Sequence, residues 1–331
     1  MVSPKVLAAP FRTDQPIVLF LLLPVMAVLW WVQPLYPAAL GNGASMPLFR
    51  ALNGLTAHAP WLQGAIAIAV ASGLAVLLAS TANNAELFDR RNRMPALLLV
   101  LLMGTVPGPL FQPALIGAVP LVFSFRLVWA IQGRPIVIGA LFRSGMLVGL
   151  AALFYFPYAF MVVPVWAAVS VARSFNWREY AMPLAGTLLV FYFCWGVLRL
   201  GGWAPMEPVR SMVPAAHPAL PGGRKAVLLL LVLVPLALSA VLRFFRSYQK
   251  AIMRMRNTRS AFLALCWSVL AIIGLEAWVN GTFPSVLLAM PLSVVLSYPL
   301  LNMQRVWLAE VTLLTLLAIG CAAQWTAPTL P

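Results

Sequence analysis

The sequence predicts an all-α, polytopic transmembrane helix bundle. Three observations carry that prediction. First, 63% of the 331 residues are hydrophobic and only 9% are charged. Soluble domains carry about 25% charged residues, so this chain has too few charged groups to cover a water-facing surface. Second, long apolar runs follow one another from end to end. Third, six cations and no anion (Arg243, Arg246, Lys250, Arg254, Arg256 and Arg259) fall between two of those runs. Basic loops between membrane spans mark the cytoplasmic side.

The runs are Ile17–Gln33, Trp61–Ala82, Ala96–Val106, Leu110–Ile131, Leu141–Phe156, Pro157–Ala172, Ala181–Leu200, Ala226–Leu242, Ala261–Val279, Ser285–Leu301 and Trp307–Trp325. A helix needs about 20 residues to cross roughly 30 Å of hydrocarbon, and most of the runs meet or approach that length. Trp30 and Trp31 close the first run and favour an interfacial anchor over a signal-peptide cleavage region. Ala96–Val106 is short and stops at Pro107-Gly108-Pro109. Leu141–Phe156 and Pro157–Ala172 meet at a Phe-Pro joint with no polar loop. The expected count is therefore eleven spans, or nine if one of these short hairpins is re-entrant. A re-entrant hairpin has to sit inside the bundle, because backbone at membrane depth must find its hydrogen bonds within protein.

Placing the N-terminus inside and alternating puts 17 of the 22 Lys and Arg on the inner side. The outer side keeps Arg50, Arg199, Arg210, Arg224 and Lys225. The expectation is thus a multi-pass membrane protein with its N-terminus cytoplasmic and its C-terminus on the far side, which is the periplasm if the membrane is the bacterial inner membrane that the resemblance given below implies. Residues 1–331 read as one integral membrane domain. Two outer loops, Pro34–Pro60 and Gly201–Gly223, are rich in Pro and Gly and too short to be domains. Both loops ending in Met-Pro, Arg90 to Pro95 and Arg178 to Pro183, open a span; proline tolerates the first helical turn, which explains the likeness without a duplication.

The net charge of +15 does not signal nucleic acid, since the cations sit in short loops between apolar spans. On a helical wheel, Phe244, Phe245, Tyr248, Ile252 and Met255 fall within about a third of the circle. Arg243, Arg246, Lys250 and Arg254 cluster on another face. The stretch 243–259 reads as a cytoplasmic basic amphipathic linker helix lying on the inner surface. It anchors orientation, and it fits anionic lipid phosphates or an acidic partner, with about 1 kcal/mol per cation near an anionic leaflet. Trp177 and Arg178 suit the same interface.

Catalytic chemistry is sparse. The seven acids are Asp14, Glu86, Asp89, Glu179, Glu207, Glu276 and Glu310. The first outer loop contains no Asp or Glu, which counts against a membrane glycosyltransferase that uses a carboxylate there. His58 and His217 are the only histidines, Cys194, Cys266 and Cys321 lie far apart, and no metal-ligand spacing exists. No phosphate-binding glycine loop occurs. No cofactor or metal is expected. The outer candidates for chemistry are Glu207, Arg210 and His217. Asn280-Gly281-Thr282 matches a glycosylation sequon in what reads as a short turn between helices. Arg126, Glu276 and Glu310 lie in or near apolar runs, where a charge usually faces a partner or cavity. Arg126 and Glu310 both fall toward inner ends and can pair. Glu276 falls near an outer end, where an interfacial position or a proton-coupled role are the alternatives.

Several short motifs run along the chain: Phe11-Arg12 with Gln15-Pro16, Glu86-Leu87-Phe88, Phe154-Tyr155-Phe156-Pro157, Phe175-Asn176-Trp177-Arg178-Glu179, and Pro291-Leu292-Ser293 ahead of Trp307-Leu308-Ala309-Glu310. With them the chain resembles a family of polytopic inner-membrane proteins of Bacteroidota. The resemblance implies a location and supplies no reaction and no catalytic residues. Some members carry the label beta-carotene monooxygenase, but two histidines cannot build a four-histidine iron site. Three functions are compatible with these residues. One is a non-catalytic component of envelope biogenesis that binds lipid or a membrane-protein partner. The second is an enzyme on a polyprenyl-linked or phospholipid substrate, and the third a secondary transporter using Glu276 or Glu310. Sparse polar chemistry and the basic inner segment favour the first.

Overall fold

The computed structural model describes residues 8–30, 46–105, 110–132, 136–202, 224–250, 253–280, 285–303 and 306–325. Every regular element among them is helical. A short helix α1 (Ala8–Phe11) precedes a 3-10 segment, Pro16–Leu21, that runs into α2 (Leu22–Trp30). Then come α3 (Pro47–Thr56), α4 (Pro60–Asn84), α5 (Met94–Thr105), α6 (Pro113–Trp129) and α7 (Ile138–Phe154). A second 3-10 segment, Phe156–Met161, leads into α8 (Val162–Ala172). The chain continues through α9 (Trp177–Leu200), α10 (Arg224–Lys250), α11 (Met253–Asn280), α12 (Ser285–Asn302) and α13 (Val306–Trp325).

Among the described residues, five helical stretches are long and apolar enough to cross a membrane: Trp61–Asn84, Trp177–Leu200, Met255–Glu276, Ser285–Asn302 and Trp307–Gln324. Proline opens α3, α4, α6 and both 3-10 segments. Its missing N–H costs nothing in a first turn, and its fixed φ pre-forms the helix. Pro183 differs. It lies inside α9, a turn beyond the start at Trp177, whereas Pro95 is the second residue of α5. The two Met-Pro motifs therefore do different work, and punctuation explains only the first.

The short run after Arg93 has a physical reason. Every residue of α5 is buried. The helix is walled by α12, α13, α4 and α2, so it is apolar all round, as a central helix must be. At 1.5 Å per residue its length is about 18 Å, short of a full hydrocarbon core. By contrast α9 turns Leu188, Tyr192, Phe193 and Trp195 outward.

The most extensive contact in the bundle joins α7 to α9. Small residues let these backbones touch. A Cβ added to Gly145 would stand 2.0 Å from the Pro183 carbonyl oxygen, and one added to Gly186 would stand 2.4 Å from that of Phe142. Gly149, one helical turn beyond Gly145, faces Thr187 and Val190. The Thr187 hydroxyl lies 2.9 Å from the carbonyl oxygens of both Gly145 and Pro183. This is a small-xxx-small membrane interface. The Gly145-x-x-x-Gly149 spacing that permits it is legible in the sequence.

The Phe-Pro joint is a sharp break. α7 ends at Phe154, Tyr155 is extended at φ −143°, ψ 105°, and the 3-10 turn begins at Phe156. Tyr158 bonds the Ala114 carbonyl at 2.7 Å, so the broken backbone is held inside protein.

Overpacking a tight interface costs about 1–3 kcal/mol. Gly145→Ala and Gly186→Ala are each expected to lower thermal stability in detergent by that order. Gly73→Ala, where a Cβ meets nothing within 4 Å, is expected to leave the melting curve in place. Equal melting of all three variants would show that α7 and α9 do not touch this way.

Candidate functional site

Contacts gather the segments bearing Arg12, Arg93 and Arg259 at one end of the bundle, and the site is built there around one carbonyl. Helix α4 closes with the Glu86 amide bonding the Asn83 carbonyl and the Leu87 amide bonding that of Ala82, both at 3.1 Å. That pair is a Schellman cap, and it needs a left-handed residue, here Glu86 at φ +54°. A residue with a Cβ pays about 1–2 kcal/mol for that conformation. The turn aims the Leu87 carbonyl into the protein. Arg259 of α11 donates to it through Nε at 3.3 Å and Nη2 at 3.2 Å, and the Tyr298 hydroxyl of α12 donates at 2.5 Å. Arg259 also bonds the Ser247 carbonyl of α10 at 2.6 Å and the Asp89 carboxylate at 3.1 Å. Phe88 and Phe244 stack against the Tyr298 ring at 5.1 and 5.2 Å.

Three other tethers hold this end. Arg93 pairs with Asp14 at 2.8 Å, while its amide bonds the carbonyl of fully buried Phe11. Arg12 bonds the Leu300 and Met303 carbonyls at 2.5 and 3.4 Å, a cation where helix carbonyls end. Burial lowers the Arg12 pKa, and the charge of Glu310 partly offsets that. Arg173 pairs with Glu179 at 3.1 Å. Asn176 caps α9 by accepting from the Arg178 amide, with Glu179 three residues later, so Phe-Asn-Trp-Arg-Glu is a helix-start signature.

The basic stretch corrects one expectation. Residues 243–259 do not form a separate surface helix. Helix α10 continues through Lys250 and α11 begins at Met253. Phe244 is buried against Phe262 and Tyr298 rather than facing lipid, and Arg259 is 1% exposed. The apolar stripe read from the wheel is, in part, bundle core.

The remaining cations divide by exposure. Arg246 and Arg178 are exposed and Arg243 is half-buried. Exposed Trp177 carries the Arg178 guanidinium over its ring at 5.8 Å. Arg90, Arg91, Arg126 and Arg143 are also exposed. The side chains of Lys250 and Arg254 lie outside the described residues. Arg126 is not brought to Glu310; Arg126 is exposed, and the charge of buried Glu310 acts on Arg12 instead.

The opposite end holds α3, where Gln63 bonds Asn53 at 3.0 Å and Thr56 at 3.3 Å, and Phe49 packs on Phe111. His58 is exposed. Glu276 lies one turn before the end of α11, where it is buried and the Tyr155 hydroxyl donates to its Oε1. Glu207, Arg210 and His217 lie outside the described residues, as do Gly281 and Thr282 of the sequon. Among the described residues no three His, Cys, Asp or Glu side chains gather.

A cavity of about 30 Å³ lies between α4, α6, α11 and α12, lined by Leu78, Thr81, Phe125, Trp129, Phe262 and Met290 among others. Its lining is almost wholly apolar; Thr81, one of the lining residues, has a buried hydroxyl without a hydrogen-bond partner. That is room for a water or two. Neither Glu276 nor Glu310 lines it.

No family model matches this chain, and no curated protein or solved structure is detectably similar to it.

Arg259→Met is expected to cost about 2–3 kcal/mol, because it strips charged donors from buried carbonyls. Asp89→Ala is expected to cost at most about 1 kcal/mol, because Asp89 is 77% exposed and its pair is screened. Thermal unfolding in detergent measures both. Equal losses would mean that the ion pair, not the Leu87 carbonyl, holds this end together.

Proposed function

We propose that the chain is a multi-pass protein of a bacterial inner membrane that binds anionic lipid headgroups at its arginine-rich face. It serves the envelope as a non-catalytic component, alone or with a membrane-protein partner. The observation that carries this reading is the division of the cations. Asp14, Glu179 and Asp89 are taken up by Arg93, Arg173 and Arg259, while Arg126, Arg143, Arg178 and Arg246 are exposed at the same end. Cations at the ends of apolar helices face phosphate-rich headgroups. The positive-inside rule assigns this face to the cytoplasm, with eleven spans, N-terminus inside and C-terminus outside. The resemblance to Bacteroidota inner-membrane proteins is in keeping with that location.

A secondary transporter is the second reading, favoured by the buried carboxylate Glu276. It requires an aqueous path to that group, and the described cavity does not reach it.

Each cation near an anionic leaflet contributes about 1 kcal/mol, roughly a fivefold factor. Changing Arg126, Arg178 and Arg246 together to Gln is expected to cut the ratio of phosphatidylglycerol to phosphatidylethanolamine retained on the purified protein. Native mass spectrometry reads that ratio, and an unchanged ratio sinks the lipid-binding reading. Reporter fusions after Lys250 are expected to report the cytoplasm; a periplasmic signal there would reverse the orientation.

A further inference from the structure

Glu276 sits one turn before the end of α11 and is 4% exposed. Its Oε1 accepts from the Tyr155 hydroxyl. Its Oε2 is buried with no hydrogen-bond partner. Tyr155 occupies the extended break between α7 and the 3-10 segment, so this contact ties the hairpin joint to α11. Tyr158 packs edge-on against Tyr155 at 5.2 Å. Its own hydroxyl is committed to the Ala114 carbonyl, and its ring fills the space left by Gly117, where a Cβ would come within 3.0 Å of it. Tyr158 therefore cannot supply the missing donor.

Helices α8, α10, α12 and the 3-10 segment pack along α11; α6 and the turn after α4 meet it near Phe262 and Arg259, at the end away from Glu276, so their Arg126, Glu86 and Asp89 do not face that carboxylate. Helix α8 carries no titratable side chain, and α12 carries only Tyr298, at the far end beside Leu87. The 3-10 segment brings Tyr158. Helix α10 opens with Arg224 and Lys225, whose side chains lie outside the described residues. Among the described residues no cation pairs with Glu276.

An ionised carboxylate in an apolar surround needs several donors or a counter-ion. Among the described residues Glu276 has one donor. A bound cation would need a cavity beside Oε2, and the described cavity is lined elsewhere. A proton needs no space. We propose that Glu276 and Tyr155 form a proton-binding site that closes this end of the bundle. The neutral acid bears the proton on Oε2 and accepts the Tyr155 hydrogen bond on its carbonyl oxygen. When the proton leaves to water, the full charge rests on a group with a single donor. The site then opens to water to solvate it, and the hairpin joint parts from α11. This holds whether or not lipid binds at the arginine-rich end.

The test uses the purified full chain in nanodiscs. Infrared spectra at neutral pH are expected to show a protonated-carboxyl C=O band that shifts in D2O. The band is expected to be lost in Glu276→Gln and displaced in Tyr155→Phe, which removes its hydrogen bond. Hydrogen exchange over residues 154–161, corrected for intrinsic base catalysis, is expected to rise with pH in the wild type and stay flat in Glu276→Gln, the permanently neutral isostere. Absence of the band at neutral pH overturns the proposal and leaves an ionised Glu276 paired with a cation such as Arg224 or Lys225. A band with identical exchange profiles in wild type and Glu276→Gln overturns the coupling to the hairpin. If Glu276→Gln does not fold, Tyr155→Phe still decides, since an undisplaced band excludes Tyr155 from the site.

Discussion

The Leu87 carbonyl and the guanidinium that meets it organise the arginine-rich end. A buried carbonyl must be paired, and here Arg259 and Tyr298 both pair it. Through that one oxygen the turn after α4 is joined to α11 and α12, and through the Ser247 carbonyl to α10 as well. The left-handed Glu86 is the local strain that aims it. Arg12 and Arg93 attach the segment before α2 to the same end. With these arginines drawn inward, the exposed ones are left to face whatever lies outside.

The sequence foreshadowed the elements well and their roles unevenly. Apolar runs gave the helices because burial in hydrocarbon leaves the backbone no other way to satisfy itself. The helical wheel over 243–259 misled because a wheel shows which residues share a face, not what that face meets. Phe244 meets Tyr298 and Phe262, and nothing in the local pattern distinguishes that from lipid. Asn176 and Glu179, beside the interfacial Trp177 and Arg178, carry the spacing of a helix cap, a signal legible in the sequence itself.

The candidate site was half visible. Counting cations identified the basic end, but counting cannot tell Arg259, buried under three carbonyl bonds, from Arg246 in the open. Exposure depends on which helix lies opposite, and that is long-range information. Glu276 was singled out for its place in an apolar run. Its partner Tyr155 lies far away in sequence, so nothing local pointed to it.

The burial of α5 bears on how the chain is made. A helix of about 18 Å cannot by itself span the roughly 30 Å that a lipid core presents. Its walls are α2, α4, α12 and α13. The latter pair is synthesised long after α5 leaves the ribosome. Until then α5 has only α2 and α4 of its four walls. The bundle's centre is therefore complete only once α12 and α13 have been made, and a chain cut before them leaves an apolar face of α5 bare.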